Sequence, residues 1–265
     1  MIRGYLVYEE ADAKANEGFI LMLQEEAERH GITLQLHYPG ESLTEADVPD
    51  FVWNRSRQSA VAKYYEQLGI RVFNNSETNA LANNKKLATE FVANLNLRTI
   101  PTWTSYKQIE RYPVVVKTVN GHGGQEVVLC DNLQALQQTI SSFSNEQIII
   151  QPYIESNAQD VRVWMLGTTI LGAVLRTGLS DFKSNYTLGG SIAKFDLPTE
   201  LINAVTTITS TLTSDYIGID FIKGIDGNFY FNEIEDPVGA RSYYDLFGND
   251  LAQQLLIYIQ SQISP

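Results

Sequence analysis

The sequence predicts a protein of mixed class, with a small α/β unit at its N-terminus and α+β structure in the rest of the chain. Over about the first 75 residues, strand and helix patterns alternate, which is typical of a unit built on a parallel sheet. After a polar linker, apolar strand segments follow one another through short turns, which indicates hairpins. The segment FYFNEIEDPVGARS at 229–242 sets carboxylates among apolar strand residues, and it is the strongest chemical signal in the chain.

The composition is that of a globular protein without nucleic-acid or membrane partners. The chain has 265 residues, of which 44% are hydrophobic, enough for one large domain or two to three small ones. Its net charge of −12 argues against nonspecific binding to nucleic acid or anionic membrane. The single cysteine, Cys130, excludes a disulfide framework, and its apolar neighbours predict a buried thiol. We see no signal peptide or membrane span, so we expect a cytoplasmic protein.

The first unit is expected to end its strands in polar residues that could bind a ligand. Its predicted third strand ends near Asn54 and Arg55, and ligands of such sheets bind at the carboxyl ends of the strands. Arg55 is therefore a candidate for binding a substrate carboxylate, although an ordinary loop arginine is an equally good interpretation. The expected elements are strands at 2–8 and 32–37, a third strand within ADVPDFVWNRS and a fourth at 70–73, with helices at 13–30 and 57–68.

The middle of the chain combines a helix with a glycine-rich loop. Lys117 ends the strand VVVK and precedes Gly121, Gly123 and Gly124. Glycines let backbone amides approach a phosphate closely, and the lysine supplies a positive charge. The spacing fits neither a P-loop nor a dinucleotide fingerprint. Taken alone, the loop is better explained as a flexible hairpin loop with an exposed lysine. We expect a helix over 76–96, strands on both sides of the loop, a helix over 131–142 and the strand QIII.

The last part of the chain is predicted to contain two hairpins and two long helices. Gly167 and Thr168 join the strands VRVWML and TILGAVLRT, and an open loop follows. Asp226-Gly227 marks the tip of a second hairpin, because Asp-Gly between apolar runs is a preferred type I′ turn. The helices are expected over 199–213 and 251–263.

The register of the second hairpin predicts a cluster of carboxylates. If Ile225 faces Asn228 at the tip, Asp220 lies opposite Glu233 and Glu235 lies on the same face. Like charges across a sheet are destabilising, so the cluster requires a cation, and oxygen ligands suit Mg2+. The alternative is that the acids form the solvated face of an amphipathic hairpin.

The order of these features resembles that of the ATP-grasp superfamily, and most closely that of its RimK-type ligases. The features are the lysine before the glycine loop, the segment IIIQPYI, the arginines of DVRVWML and VLRTG, and the acidic hairpin. The resemblance covers nearly the whole chain. It implies an ATP-grasp fold with a small N-terminal pre-ATP-grasp domain at 1–75, a first ATP-grasp lobe with the glycine-rich loop at 76–150 and a C-terminal lobe with the metal site at 151–265.

The resemblance also implies roles for individual residues. The first phosphate-binding lysine falls on Lys86 rather than Lys85, because the spacing to Thr89 favours it. The implied ATP-binding residues are Lys86, Lys117, Gly121, Gly123, Gly124, Gln151, Tyr153, Ile154, Asp160 and Asn185. The implied catalytic residues are Arg162, Arg176 and Arg241, and the implied metal ligands are Asp220, Glu233 and Glu235.

The function implied by the resemblance is that of an ATP-dependent carboxylate–amine ligase that works through an acylphosphate and releases ADP and phosphate. The cofactors are ATP and Mg2+, with Mn2+ as a substitute, and the substrates are small-molecule or peptide carboxylates and amines. The oligomeric state is not predicted, although a homodimer is common among enzymes of this kind. Two alternatives stay open, an inactive ATP-binding regulatory or scaffold protein on the same fold and a binding protein that takes no nucleotide. The identities of the substrates are not predicted.

Overall fold

The N-terminal sheet is parallel, as predicted. The computed structural model describes residues 2–41, 48–124, 126–143, 146–178, 190–248 and 250–263. The strands, in the sheet order β2-β1-β3-β4, are β1 (Ile2–Val7), β2 (Ile32–His37), β3 (Phe51–Asn54) and β4 (Arg71–Phe73). The helices of this part are α1 (Glu10–Ala15), α2 (Glu17–Arg29) and α3 (Ser59–Gln67). The single helix expected over 13–30 is therefore two helices, which meet at Asn16.

The predicted helix over 76–96 is also interrupted. It forms α4 (Ser76–Ala82) and α5 (Lys85–Asn94), with an extended residue, Asn84, between them. The Asn84 side chain accepts a hydrogen bond from the Leu87 backbone N–H (3.0 Å), which caps α5. The backbone N–H of Lys85 donates to the Val119 carbonyl (2.9 Å), so the start of α5 lies against the segment that follows Thr118.

The glycine-rich loop joins two strands of an antiparallel three-stranded sheet. Cys130 is buried in this sheet, as predicted. The elements are β5 (Val114–Thr118), β6 (Val127–Cys130), α6 (Leu133–Ser142) and β7 (Ile148–Pro152), with the strand order β6-β5-β7 and a 3-10 turn at Tyr106–Gln108. The domain boundaries expected after residues 75 and 150 stay predictions.

The C-terminal sheet is antiparallel and has the strand order β10-β9-β8-β11-β12. It comprises β8 (Gln159–Leu166), β9 (Thr169–Thr177), β10 (Ser191–Lys194), β11 (Tyr216–Lys223) and β12 (Phe229–Glu235), and its helices are α7 (Thr199–Leu212), α8 (Arg241–Phe247) and α9 (Leu251–Ile263). The sequence did not predict β10 and α8, because β10 is a short, mostly exposed edge strand and α8 has only seven residues.

The largest apolar core joins the N-terminal sheet to the end of the chain. Phe51 and Trp53 of β3 pack in one cluster with Leu23 of α2 and Leu255 of α9, and all four are buried. The carboxyl end of β3 is thereby fixed beside the C-terminal sheet. Among the described residues, no helix combines the length and apolar character that crossing a membrane requires.

The tip of the β11–β12 hairpin differs from the prediction by one residue. Gly224, not Ile225, pairs with Asn228, since its N–H donates to the Asn228 carbonyl (2.9 Å). The loop therefore has three residues, and Gly227 takes the left-handed conformation (φ 82°) that such loops require.

A β-bulge cancels this shift before the acidic residues. The register changes between Asp220 and Phe221, so that Asn232 is an extra residue on β12. Below the bulge, Asp220 pairs with Glu233 and Gly218 pairs with Glu235. The predicted register is thus confirmed at the acids and wrong at the tip.

Candidate active site

Two adjoining cavities lie at the edges of the three sheets. The smaller one, about 110 Å³, lies between the glycine-rich loop, β7 and β8. The larger one, about 710 Å³, lies between the carboxyl end of β3 and the segment after β12. Both are lined by Lys85, Gly121, His122, Gly123, Arg176 and Glu233. A molecule bound in one cavity can therefore reach a molecule bound in the other.

Most of the residues predicted to bind ATP line the smaller cavity. Glycine is required in its loop, since Gly123 and Gly124 have positive φ angles (66° and 73°). A Cβ on Gly121 would overlap Thr118 Oγ1. Three apolar side chains that no sequence pattern singles out, Ile100, Val115 and Ile222, form part of the wall. The predicted residues that line the cavity are Lys117, Gly121, Gly123, Gly124, Gln151, Tyr153, Ile154 and Asp160.

Gln151 offers a hydrogen-bond acceptor to the smaller cavity. Its side chain is buried, and Nε2 donates to Thr102 Oγ1 (2.9 Å). Its Oε1 has no hydrogen-bond partner in the described part of the chain. A buried amide oxygen without a partner is costly, so a bound group that donates a hydrogen bond would be favoured there.

Two lysines converge on the boundary between the cavities. Lys117 is 8% exposed, and its Nζ donates to Oδ1 of the bulged Asn232 (2.7 Å). Burial lowers the pKa of Lys117 to about 8, although Glu233 opposes the shift. Nζ of Lys85 lies 3.5 Å from a Glu233 carboxylate oxygen and donates to the Gly121 carbonyl. The bulge, which the sequence does not reveal, brings Asn232 to Lys117.

Lys85, rather than Lys86, lies beside the cavities, and the phosphate-binding role of either lysine stays a prediction. Nζ of Lys86 lies 3.8 Å from Oε1 of Glu90 on the outside of α5, and Lys86 lines neither cavity. Consecutive helical residues point in directions about 100° apart, so only one of the two lysines can face the cavities. Because the backbone N–H of Lys85 donates to the Val119 carbonyl and so fixes the start of α5, that residue is Lys85.

The three predicted metal ligands lie together. Carboxylate oxygens from Asp220, Glu233 and Glu235 are all within 4.8 Å of one another. Asp220 is fully buried, whereas the side chains of Glu233 and Glu235 are 25% and 29% exposed. Hard oxygen donors at this spacing fit a divalent cation such as Mg2+.

Two buried arginines already bind these acids. Arg162 donates to both oxygens of Asp220 (2.8 and 2.7 Å) and lies 2.5 Å from an oxygen of Glu235. Arg176 binds Asp160 with two hydrogen bonds of 2.6 Å and Asp220 with a third. Burial opposes ionisation of Asp220, but the arginines outweigh it and lower its pKa to about 2.

Glu235 is less well compensated. Burial raises the pKa of Glu235 to about 7, although Arg162 acts in the opposite direction. The acids and cations around the cluster balance formally, because four carboxylates face four basic groups. The acids are Asp160, Asp220, Glu233 and Glu235, and the basic groups are Lys85, Lys117, Arg162 and Arg176.

The remaining predicted residues line the larger cavity or lie outside the residues that the structure describes. Arg162 and Arg241 line the larger cavity, and Arg241 is the first residue of α8. Asn185 lies outside the described residues. Arg55, which the sequence offers as a candidate for binding a substrate carboxylate, also lines the larger cavity, just after the end of β3.

Known proteins share this architecture. An uncharacterised protein of Mycoplasma pneumoniae is 33% identical over 221 residues, 76% of this chain and 76% of that protein. A probable alpha-L-glutamate ligase of Parasynechococcus marenigrum is 25% identical over 251 residues, 86% of this chain and 53% of that protein. The structure of a RimK domain ATP-grasp protein from Sphaerobacter thermophilus covers 97% of this chain and 99% of its own, with a TM-score of 0.74 and 18% identity. The predicted ATP-grasp fold is thereby confirmed. The model of the RimK-like ATP-grasp domain matches residues 75–259, and the chain belongs to that family.

Proposed function

We propose that the protein joins a carboxylate to an amine with ATP as the energy source, through an acylphosphate, and releases ADP and phosphate. Membership of a ligase family supports this function. The observation that carries it is the meeting of two cavities at a cluster of acids and bases. A nucleotide in one cavity and an organic substrate in the other would have their reacting groups side by side.

We propose that the smaller cavity binds ATP. Its apolar side chains suit the faces of an adenine ring, and the unpartnered Oε1 of Gln151 could accept a hydrogen bond from the exocyclic amine. The glycine-rich loop would offer backbone N–H groups to the phosphates. Lys117 and Lys85 would add positive charge at the end nearest the acids.

ATP-grasp ligases use ATP, typically with divalent metal ions, and we propose Mg2+ for this site, with Mn2+ as a substitute. Asp220, Glu233 and Glu235 would hold the ion, because their oxygens lie within 4.8 Å of one another. Bound there, the ion would neutralise charge on the β- and γ-phosphates. Glu235 would contribute a third carboxylate, and with it a further negative charge, to the site.

The reaction would proceed in two displacements. An oxygen of the substrate carboxylate attacks the γ-phosphorus, the bond to the bridging oxygen breaks, and ADP leaves. The amine nitrogen then attacks the acyl carbon, the bond from that carbon to the phosphate oxygen breaks, and phosphate leaves while the amine loses a proton. Arg176 lines both cavities and would offset charge on the transferred group. Arg162 lies beside it, and Arg241 would bind the reacting carboxylate.

A phosphate-release screen tests this function. Purified protein is incubated with ATP, Mg2+ and pairs of amino acids or short peptides, and ADP and phosphate are measured. We expect release that depends on both organic substrates. Glu233→Gln keeps the size of the side chain and removes a ligand charge, so we expect turnover to fall at least about 100-fold with an unchanged melting temperature. ATP binding without turnover on any pair would instead support the inactive nucleotide-binding protein.

A further inference from the structure

Arg55 is a buried guanidinium with an unused donor. The residue is 3% exposed. Its Nε donates to Tyr8 Oη (3.2 Å) and its Nη2 to the Val238 carbonyl (2.8 Å). Nη1 is buried and has no hydrogen-bond partner in the described part of the chain, and the residue lines the larger cavity. A buried donor without a partner is energetically unfavourable, so an acceptor from a ligand would be favoured.

The charge of Arg55 also lacks a direct counterion. Arg162 and Arg176 each bind carboxylates at 2.8 Å or less, whereas the described residues place no carboxylate within 4.0 Å of Arg55. Asp236 attracts the guanidinium from farther away, but its oxygens accept hydrogen bonds from Asn74 (3.0 Å) and Asn79 (2.8 Å). A buried charge is stable only when it is compensated, so the Arg55 environment is complementary to an anion.

The surroundings of Arg55 are aromatic rather than polar. Its guanidinium carbon lies 5.6–5.9 Å from the ring centres of Tyr8, Phe19, Trp53 and Tyr216. Such contacts hold the cation in place without satisfying its hydrogen-bond donors. Phe19, Tyr244 and Met22 line the same cavity. The cavity therefore combines a positive charge at one point with apolar walls beside it.

We propose that Arg55 binds a carboxylate of an amino-acid or peptide substrate that is not itself activated, and that the apolar side chain of this substrate packs near Phe19, Met22 and Tyr244. The inference rests on the proposed ligase function, because only that function makes the bound molecule a substrate. Its binding to Arg55 does not require turnover. Arg55 would act as a specificity residue, because a substrate with a carboxamide in place of the carboxylate would leave the guanidinium uncompensated.

Binding of phenylacetate tests this proposal, with phenylacetamide as the uncharged probe of the same shape. Affinities are measured by NMR titration of the full chain without nucleotide. We expect phenylacetate to bind the unaltered protein at least tenfold more tightly than phenylacetamide. Arg55→Gln should lower the affinity for phenylacetate at least tenfold, and Arg55→Lys, which keeps the charge, should retain more of it. Melting curves establish that each variant is folded.

Two control variants make the result specific. Arg57→Gln removes a neighbouring charge that is already paired with Asp12 (2.8 Å), so it should leave phenylacetate binding unchanged. Arg241→Gln tests whether the probe binds where the reacting carboxylate is proposed to bind. Equal phenylacetate affinity with and without Arg55, no binding to the unaltered protein, or a loss confined to Arg241→Gln would each overturn the proposal. Absence of ATP-dependent phosphate release together with Arg55-dependent binding would overturn the ligase function and leave this inference standing.

Discussion

Arg162 binds both carboxylate oxygens of Asp220, with Nε 2.8 Å from Oδ1 and Nη2 2.7 Å from Oδ2. The same guanidinium lies 2.5 Å from Glu235. Two of the three proposed metal ligands are therefore already paired with one arginine. A cation that binds Asp220 and Glu235 has to compete with Arg162 for their oxygens.

This competition predicts the behaviour of Arg162→Gln. Without metal, the variant should be less stable by about 3 kcal/mol, since breaking a buried ion pair leaves an uncompensated charge. Saturating Mn2+ should raise its melting temperature more than that of the unaltered protein, because the freed oxygens can bind the ion directly. Thermal denaturation with and without Mn2+ measures both effects. Equal Mn2+ shifts in the two proteins would show that Arg162 and the ion do not compete.

The pair Lys85 and Lys86 gives a matched test of the proposed phosphate site. Lys85→Ala should raise the dissociation constant for ATP at least tenfold, because Lys85 lines both cavities. Lys86→Ala should change it less than twofold, because Lys86 pairs with Glu90 on the outside of α5. Fluorescence titration with ATP and Mg2+ measures both. The reverse ranking would restore the assignment to Lys86 made from the sequence.

The lowered pKa of Lys117 leads us to expect that ATP binding depends on pH. Burial lowers the pKa of Lys117 to about 8, so the side chain is mainly charged at pH 7 and mainly neutral at pH 9. Phosphate binding favours the charged form, and the affinity for ATP should therefore fall as the pH rises through 8, by up to about tenfold. Lys117→Arg stays charged throughout and should show a much smaller change. The test is to measure the dissociation constant for ATP at pH 7, 8 and 9 in the unaltered protein and in Lys117→Arg. Parallel pH profiles would refute a role for Lys117 ionisation in ATP binding.

The sequence predicted the elements well because their patterns are local. The helix–strand alternation and the Asp-Gly turn predicted the parallel sheet and the acidic hairpin. The pairing of Asp220 with Glu233 was predicted from a two-residue loop, whereas the real loop has three residues and a bulge at Asn232 restores the register. Two errors of opposite sign cancelled, and no local pattern identifies the bulge.

Side-chain direction was less predictable, because it depends on contacts between distant segments. The resemblance and the spacing to Thr89 favour Lys86 over Lys85. In the structure α5 begins one residue after Asn84, and its backbone contact with Val119 turns Lys85 toward the cavities. The ion pairs of Arg162 and Arg176 with Asp220 likewise join three different strands. The position of Arg55 at the end of a strand makes it a candidate from the sequence. That its Nη1 lacks a hydrogen-bond partner is visible only in the structure.

The Asn74 side chain connects the N-terminal sheet to the C-terminal sheet through hydrogen bonds. It lies just after β4, is 1% exposed, and its Oδ1 accepts from the backbone N–H groups of Asp215 (2.5 Å) and Tyr216 (3.1 Å). Its Nδ2 donates to the Tyr216 carbonyl (2.8 Å) and to Asp236 Oδ1 (3.0 Å). One side chain thus satisfies four hydrogen-bonding contacts at the start of β11 and after β12.

Asn74→Ala should lower the free energy of unfolding by about 3 kcal/mol, because it leaves buried backbone and carboxylate groups without partners. The neighbouring Asn75 is a matched control, since its side chain caps α4 by accepting from the Thr78 N–H (2.8 Å). Asn75→Ala should cost only about 1 kcal/mol, the usual contribution of a helix cap. Urea denaturation followed by circular dichroism measures both values. If Asn74→Ala costs no more than Asn75→Ala, water replaces the lost hydrogen bonds and Asn74 does not fasten the two sheets together.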